Sequence, residues 1–266
     1  MMNIRYALLD PTGNMTILAE TSVPAADQPA VAARLMELEP AAEQVGFLSA
    51  DEKGLRLRMA GGEFCGNAAM SAAALWAVDR GISAGTLRVS VSGAADPVEV
   101  KLSACPEENP VRGTVRMPKP VSVGEVAFPD GSLRPVVRFD GICHVIAESG
   151  LSRKDAEAVI SDWCLLLHTD ALGIMLLDRD RGTLDPLVYV PAAGTLCWER
   201  SCASGTTAVG AYLAAKEGPV TLSLKEPGGF LTVEADRMGD LYLTGRVRLV
   251  HRRDAEISLW RRTDEA

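Results

Sequence analysis

Several things are scarce in this chain. Aromatic residues make up 5% of its 266 positions, histidines number 3, and 27 Lys plus Arg fall short of 35 Asp plus Glu, for a formal charge of −8. An acidic chain without a basic block gains little from counterion release, so neither nucleic acid nor an anionic membrane surface is an expected partner. No apolar run nears the roughly 18 residues that cross a bilayer. The start, MMNIRYALLD, lacks the basic segment and apolar stretch of an export signal. A cytoplasmic location is expected. The six cysteines, at 65, 105, 143, 164, 197 and 202, form no CxxC pair and are too sparse for a disulfide framework. A reducing compartment leaves them as thiols. No lysine motif for a Schiff base and no phosphate-cradling glycine loop stands out, so neither cofactor nor metal is expected.

What is present is ordinary for a soluble globular protein, 47% hydrophobic and 23% charged, at a length for one large or two small domains. The chain states one plan twice. Gly13-Asn14-Met15-Thr16-Ile17-Leu18-Ala19-Glu20-Thr21 resembles Gly141-Ile142-Cys143-His144-Val145-Ile146-Ala147-Glu148-Ser149, 128 positions later. A helix pattern follows each. The first starts near Asp27 with Val31, Leu35 and Leu38 on one face; the second starts at Ser152, with Asp155 three residues on and Val159, Ile160 and Trp163 behind it. Short apolar strands come next, at 44–48 and 171–175.

Alternating strands at 55–59 and 187–190 then lead through small-residue turns into a cysteine. Cys65 opens CGNAAMSAAALWA and Cys202 opens CASGTTAVGAYLA, both rich in small residues that permit close helix packing. Strands with period-2 alternation follow at 87–91 and 220–224. The stretch 117–131, with its prolines and glycines, loses periodicity and is the expected boundary. Two similar α/β domains across a cleft would place Cys65 and Cys202 on opposite walls. Each begins a helix, where free N–H groups and the helix dipole stabilise negative charge, whether of a thiolate or of a bound carboxylate.

One thiol on each side of a small anion suits inversion at an α-carbon. One thiolate removes the proton, a thiol returns one to the other face, and backbone N–H groups hold the carboxylate. The residues then carry a family resemblance. Glu63-Phe64-Cys65-Gly66-Asn67-Ala68-Ala69 resembles the segment around the first catalytic cysteine of diaminopimelate epimerase, and Cys202-Ala203-Ser204-Gly205-Thr206 resembles that around its second. Gly13-Asn14 is similar to the family's N-terminal G-N, and Gln44 falls where its first domain presents a substrate-facing Gln. The resemblance covers nearly the whole chain.

The departures matter too. Met59-Ala60-Gly61-Gly62, Gly141-Ile142-Cys143-His144 and Leu172-Gly173-Ile174 stand where diaminopimelate epimerase has the Asn residues that hold its distal amino-acid centre. Losing those bonds costs on the order of 1–3 kcal/mol each. Glu199-Arg200-Ser201-Cys202 is compact, nearer to proline racemases, which nevertheless carry a His where this chain has Asn67; the phenazine-biosynthesis isomerases of the fold lack the cysteine pair. The combination is most similar to the histidine racemases of opine-type metallophore biosynthesis.

The resemblance implies an α+β fold of two pseudo-twofold-related domains, each a mixed or antiparallel sheet wrapped around a central helix: 1–118, to which 250–266 can be added, and 119–249. It implies a cofactor-independent racemase with Cys65 and Cys202 catalytic and Asn14, Gln44, Gly66, Asn67, Glu199, Arg200, Ala203, Ser204 and Gly205 binding substrate. Histidine is the expected amino acid, with diaminopimelate or another amino acid as alternatives and an inactive amino-acid-binding homologue as the competing class. A homodimer is left open.

Taken singly, Asn14 and Asn67 suit turn and cap roles equally, Gln44 suits a surface position, and Glu199 suits a solvated loop. By resemblance Glu199 binds the substrate ammonium. His144, in an apolar strand, reads as a satisfied core residue, with a side-chain pocket of Met59, Ile142 and His144 as the other reading. Cys105, Cys143, Cys164 and Cys197 read as structural. A Cys197–Cys202 disulfide is conceivable but would consume the proposed acid/base thiol.

Overall fold

A computed structural model describes residues 1–51, 54–105 and 111–258. The chain folds as two compact units. One comprises Met1–Pro11, Met15–Gly113 and Val247–Ala266; the other comprises Thr12–Asn14 and Thr114–Arg246. Of the candidate C-terminal addition, 259–266 lie outside the described residues.

The first unit runs β1 (Met2–Pro11), β2 (Thr16–Ala19), α1 (Gln28–Leu38), β3 (Gln44–Asp51), β4 (Gly54–Met59), α2 (Gly66–Val78), β5 (Gly85–Val91), β6 (Val98–Ala104) and the start of β7 (Val111–Arg116). It ends with the last part of β16 (Leu241–Ile257). The order β1-β2-β3-β4-β5-β6-β7-β16, with β1 also paired to β16, closes the strands into a barrel. Pairings β2–β3 and β4–β5 are parallel, and the chain makes those two crossovers through α1 and α2. The sequences explain the different burial of these helices. Alpha1 is amphipathic and buries Val31, Ala32 and Leu35 with Ile4, Ile17 and Phe47. Alpha2 carries small residues on every face, and all of its 13 residues except Trp76 and Val78 are buried. Lacking bulk, it packs against β1, β2, β4, β5 and β6.

In the second unit β8 (Ser122–Ala127), β9 (Leu133–Phe139), β10 (Ile142–Ala147), α3 (Arg153–Leu167), β11 (Leu172–Asp178) and β12 (Thr183–Val190) are followed by β13 (Thr195–Trp198). Then come α4 (Ala203–Glu217), β14 (Val220–Glu226) and β15 (Gly229–Ala235). Pairings β10–β11 and β12–β14 are parallel. Ser152 caps α3 through the box expected from Asp155, and Ala156, Ile160, Trp163, Cys164 and Leu167 form its buried stripe. In α4 every residue from Gly205 to Ala214 is buried.

Two local expectations fail. The boundary stretch 117–131 contains β8, an edge strand paired along β9; its backbone bonds supply the order that its mostly exposed side chains do not signal. The path from 190 to Cys202 is not a simple turn. A single 3-10 turn, Pro191–Ala193, and Gly194 at φ 63° send β13 back along β12. Among the described residues no helix is long and apolar enough to cross a membrane.

Candidate active site

Cys65 follows β4 and is the N-cap of α2, in extended backbone. Its sulfur accepts the N–H of Ala68 at 3.4 Å, and its thiol donates to Gln44 Oε1 at 3.1 Å. Gln44 is therefore not a plain surface polar residue. Its amide nitrogen is anchored on Thr16 Oγ1 at 2.8 Å, which fixes the carbonyl toward the thiol. Gly66 and Asn67 form the buried first turn, and Asn67 Oδ1 has no hydrogen-bond partner although the residue is 2% exposed. Such an atom costs about 1–3 kcal/mol unless something occupies it.

Cys202 repeats this geometry in the second unit. It is the N-cap of α4, and Gly205 N–H donates to its sulfur at 3.4 Å. Its surroundings are acidic. Glu199, half-buried, is hydrogen-bonded to the thiol, and Glu226, at the end of β14, accepts the Cys202 backbone N–H at 2.7 Å. Burial first, then Glu199 and Glu226, push the Cys202 thiol well above its ordinary range. The sulfur also lies 3.6 Å from the Ser204 hydroxyl. Gly205 is needed here: a Cβ would run into Met175 Sδ and stand 3.2 Å from the Cys202 sulfur.

His144 on β10 is fully buried with both ring nitrogens unpartnered, which corrects its reading as a satisfied core residue. Burial alone lowers its pKa to about 3, so the ring is neutral. It packs where a Gly173 side chain would be, and the same absent Cβ would touch Met175 Cε. His144 and the Cys202 turn thus share Met175 as a neighbour. Ile142 is half-buried on the same strand, whereas Met59 is fully buried in the first unit.

All six cysteines are free, so Cys197 and Cys202 are not bridged. Cys197 is exposed on β13 and Cys105 half-buried, unlike the buried Cys143 and Cys164, so the structural reading suits only the latter two. Among the described residues no group of three or more His, Cys, Asp or Glu is arranged to hold a metal ion.

Residues 3–255 match the family profile described as the histidine racemase CntK N-terminal domain. A histidine racemase of Fusobacterium nucleatum is 34% identical over 92% of this chain and 94% of its own length. The chain belongs to this histidine racemase family. It is an isomerase of the racemase type. Solved structures agree on the fold. A predicted epimerase of Pseudomonas aeruginosa superposes with a TM-score of 0.72 at 17% identity, over 96% of this chain and all of its own. A hydroxyproline epimerase of Agrobacterium vitis, with trans-4-hydroxy-L-proline bound, gives 0.66 at 14%, over 95% and 92%.

In this family member the expected site residues fall into two groups. Gln44, Cys65, Gly66 and Asn67 cluster in the first unit; Glu199, Arg200, Cys202, Ala203, Ser204 and Gly205 lie along one segment of the second, with Arg200 exposed. Asn14, buried, belongs to the second unit. Glu226 and Thr16 are not among the residues expected from sequence. Glu226 does leave a signal: β14 alternates, and its period puts Glu226 on the buried face with Leu224.

Proposed function

We propose that this chain interconverts L- and D-histidine without a cofactor, Cys65 and Cys202 acting as the thiolate and thiol of a two-base reaction. The observation that carries the chemistry is the matched pair of helix-capping cysteines, each with its thiol already engaged by an acceptor, Gln44 at one and Glu199 at the other. Buried and hydrogen-bonded to Glu199, Cys202 keeps its proton, and we assign the thiolate of the resting pair to Cys65. That thiolate takes the α-proton from one face of the substrate. The electron pair left on carbon delocalises into the carboxylate, and the Cys202 thiol delivers a proton to the opposite face. The product leaves the pair with its protonation exchanged, ready for the reverse direction.

The N–H groups of Gly66 and Asn67 and of Ala203 and Ser204 precede the first bonds accepted within each helix, by Cys65 for Ala68 and Ala69 and by Cys202 for Gly205 and Thr206, and are offered to the carboxylate. Histidine as substrate rests on the relatives that bear that name and on the absent distal asparagines. The same reading makes two halves of the sequence, 1–118 with 250–266 and 119–249, copies of one plan. It also makes the enzyme a cytoplasmic one serving opine-type metallophore synthesis.

The test is a panel of L-amino acids in D2O, scored for α-deuterium and for the D-enantiomer, with hydroxylamine and EDTA present in parallel. L-histidine is racemised and activity survives both reagents. Its specificity constant exceeds that for meso-diaminopimelate by roughly two orders of magnitude. Efficient diaminopimelate turnover overturns the substrate; no exchange with any amino acid overturns the reaction in favour of an amino-acid binder.

A further inference from the structure

Outside the residues that meet substrate, one buried acid stands out by what it holds. Glu226 is 2% exposed, yet both carboxyl oxygens are engaged: Oε2 accepts the Cys202 backbone N–H at 2.7 Å, and Oε1 accepts the Thr206 hydroxyl. The carboxyl thus bridges the N-cap residue of α4 and its first turn. Glu226 pairs with Gly229 across the β14–β15 hairpin, so Pro227 and Gly228 form the tip. That tip makes a second bond to the same segment, Gly228 N–H to the Arg200 carbonyl at 2.6 Å. Two bonds from one hairpin therefore pin the residues on either side of Ser201, itself wholly buried. A Cβ at Gly228 would strike the Thr12 carbonyl and stand 3.0 Å from the Arg200 carbonyl, so the tip is fitted to this segment.

Each helix is already capped by the sulfur of its own cysteine, and only α4 adds a buried carboxylate to that cap. Burying an acid is costly, and this one is pushed up to about 8 by burial. An ordinary packing role would be served by an apolar residue such as Leu224 on the same face.

We propose that Glu226 is a positioning residue for Cys202, fixing through its carboxyl the peptide N–H and first turn that aim the sulfur at the substrate. This rests on the reading of Cys202 as one of the two acid/base groups. The side chain need not reach the reacting atoms. Its contribution is geometric, and a displacement of about 1 Å in an acid/base group can cost on the order of 10²-fold in rate.

The experiment compares Glu226→Leu, Glu226→Gln and Thr206→Val in the full chain. It reads kcat and KM for L-histidine racemisation, and the iodoacetamide alkylation rates of Cys202 and Cys65 by mass spectrometry without substrate. Glu226→Leu leaves the Cys202 N–H unaccepted, so kcat falls about 10- to 10²-fold with KM within about twofold. The Cys202 alkylation rate changes while that of Cys65 stays as in wild type. Glu226→Gln keeps a carbonyl for the Cys202 N–H and an amide N–H for the Thr206 oxygen, and restores kcat to within about threefold. Thr206→Val removes one of the two bonds and gives an intermediate loss.

Wild-type kcat and Cys202 alkylation in Glu226→Leu overturn the proposal. So does a folded Glu226→Gln as impaired as Glu226→Leu, because charge rather than geometry would then be at work. Should Glu226→Leu fail to fold, Glu226→Gln and Thr206→Val decide by the same criteria. If the wild type does not turn over histidine, the proposed substrate fails, while the alkylation ratio still tests Glu226 by itself.

Discussion

Cys65 and Cys202 cap their helices alike, each sulfur taking an N–H from three residues on at 3.4 Å, and then part company. Cys65 is half-buried and donates to a neutral amide held by Thr16. Cys202 is 4% exposed and sits among Glu199, Glu226 and the Ser204 hydroxyl. The backbone frame is common, whereas the groups that set charge differ. The proposed two-base reaction asks for one thiol and one thiolate, and equal frames with unequal surroundings are what that proposal needs of the two cysteines.

The largest effect should come from breaking either half. Cys65→Ser and Cys202→Ser each lower racemisation by about 10²–10⁴-fold, the worth of a positioned acid/base group. Their residual behaviour separates them. Cys202→Ser retains a thiolate at Cys65 and still exchanges the α-proton of one enantiomer with D2O, measured by proton NMR. Cys65→Ser leaves only a protonated thiol and exchanges neither. Exchange surviving in Cys65→Ser alone reverses the assignment of thiolate and thiol.

Gly205 marks the next difference, since its counterpart in the first helix is Ala68. In Gly205→Ala the new methyl meets Met175, and overpacking of this kind costs about 1–3 kcal/mol. Chemical denaturation should show that loss, together with lower racemisation because the Cys202 sulfur is 3.2 Å from the added carbon. Adding Met175→Ala, which vacates the space, should recover part of the activity. An unaffected Gly205→Ala shows that the α4 turn tolerates displacement.

The pattern of small residues that predicts α2 and α4, and the Ser152–Asp155 box that predicts α3, are local signals, and the fold is legible from them. Edge strand β8 and hairpin β13 are not, because their order comes from partners β9 and β12 rather than from their own periodicity. At the site, both cysteines announce themselves by position at the head of a small-residue helix. Glu226 leaves only a partial signal: the alternation of β14 puts it on the buried face, but only the tertiary approach of residues 200–206 gives it donors. His144 departs from its expected role for a related reason. Its place in an apolar strand is visible in the sequence, but whether its nitrogens find partners depends on neighbours far off in the chain.

Two buried groups of the second unit give stability a pH dependence of either sign. His144 is lowered from 6.5 to about 3, so between those values the unfolded chain takes up a proton that the native ring refuses. Its burial therefore costs stability as pH falls below 6.5, at about 1.4 kcal/mol per pH unit. Glu226 is raised from 4.5 to about 8. The stability it contributes is present below 4.5 and is lost as pH rises through about 8, again at about 1.4 kcal/mol per unit. The two slopes oppose each other between 4.5 and 6.5. Urea denaturation from pH 4 to 9 should show His144→Leu flattening the acid side and Glu226→Gln the alkaline side. Unchanged slopes in both variants would mean that neither group titrates with folding.

The smallest effect sharpens the comparison most, because it exchanges the two acceptors. Glu199→Gln gives Cys202 the neutral partner that Cys65 has, and Gln44→Glu gives Cys65 the acidic one. A carboxylate beside a thiol disfavours the thiolate, so its removal moves the Cys202 titration down from its raised position and its introduction moves that of Cys65 up. At a fixed pH near 8, alkylation of Cys202 should quicken severalfold in Glu199→Gln, since the thiolate is the nucleophile. Alkylation of Cys65 should slow in Gln44→Glu. Cys202 remains slower than Cys65 even in Glu199→Gln, because burial, the first cause of its shift, and Glu226 are both untouched. If the neutral acceptor made the two cysteines equally reactive, the inequality between the sites would lie in one side chain, and burial and Glu226 would count for little.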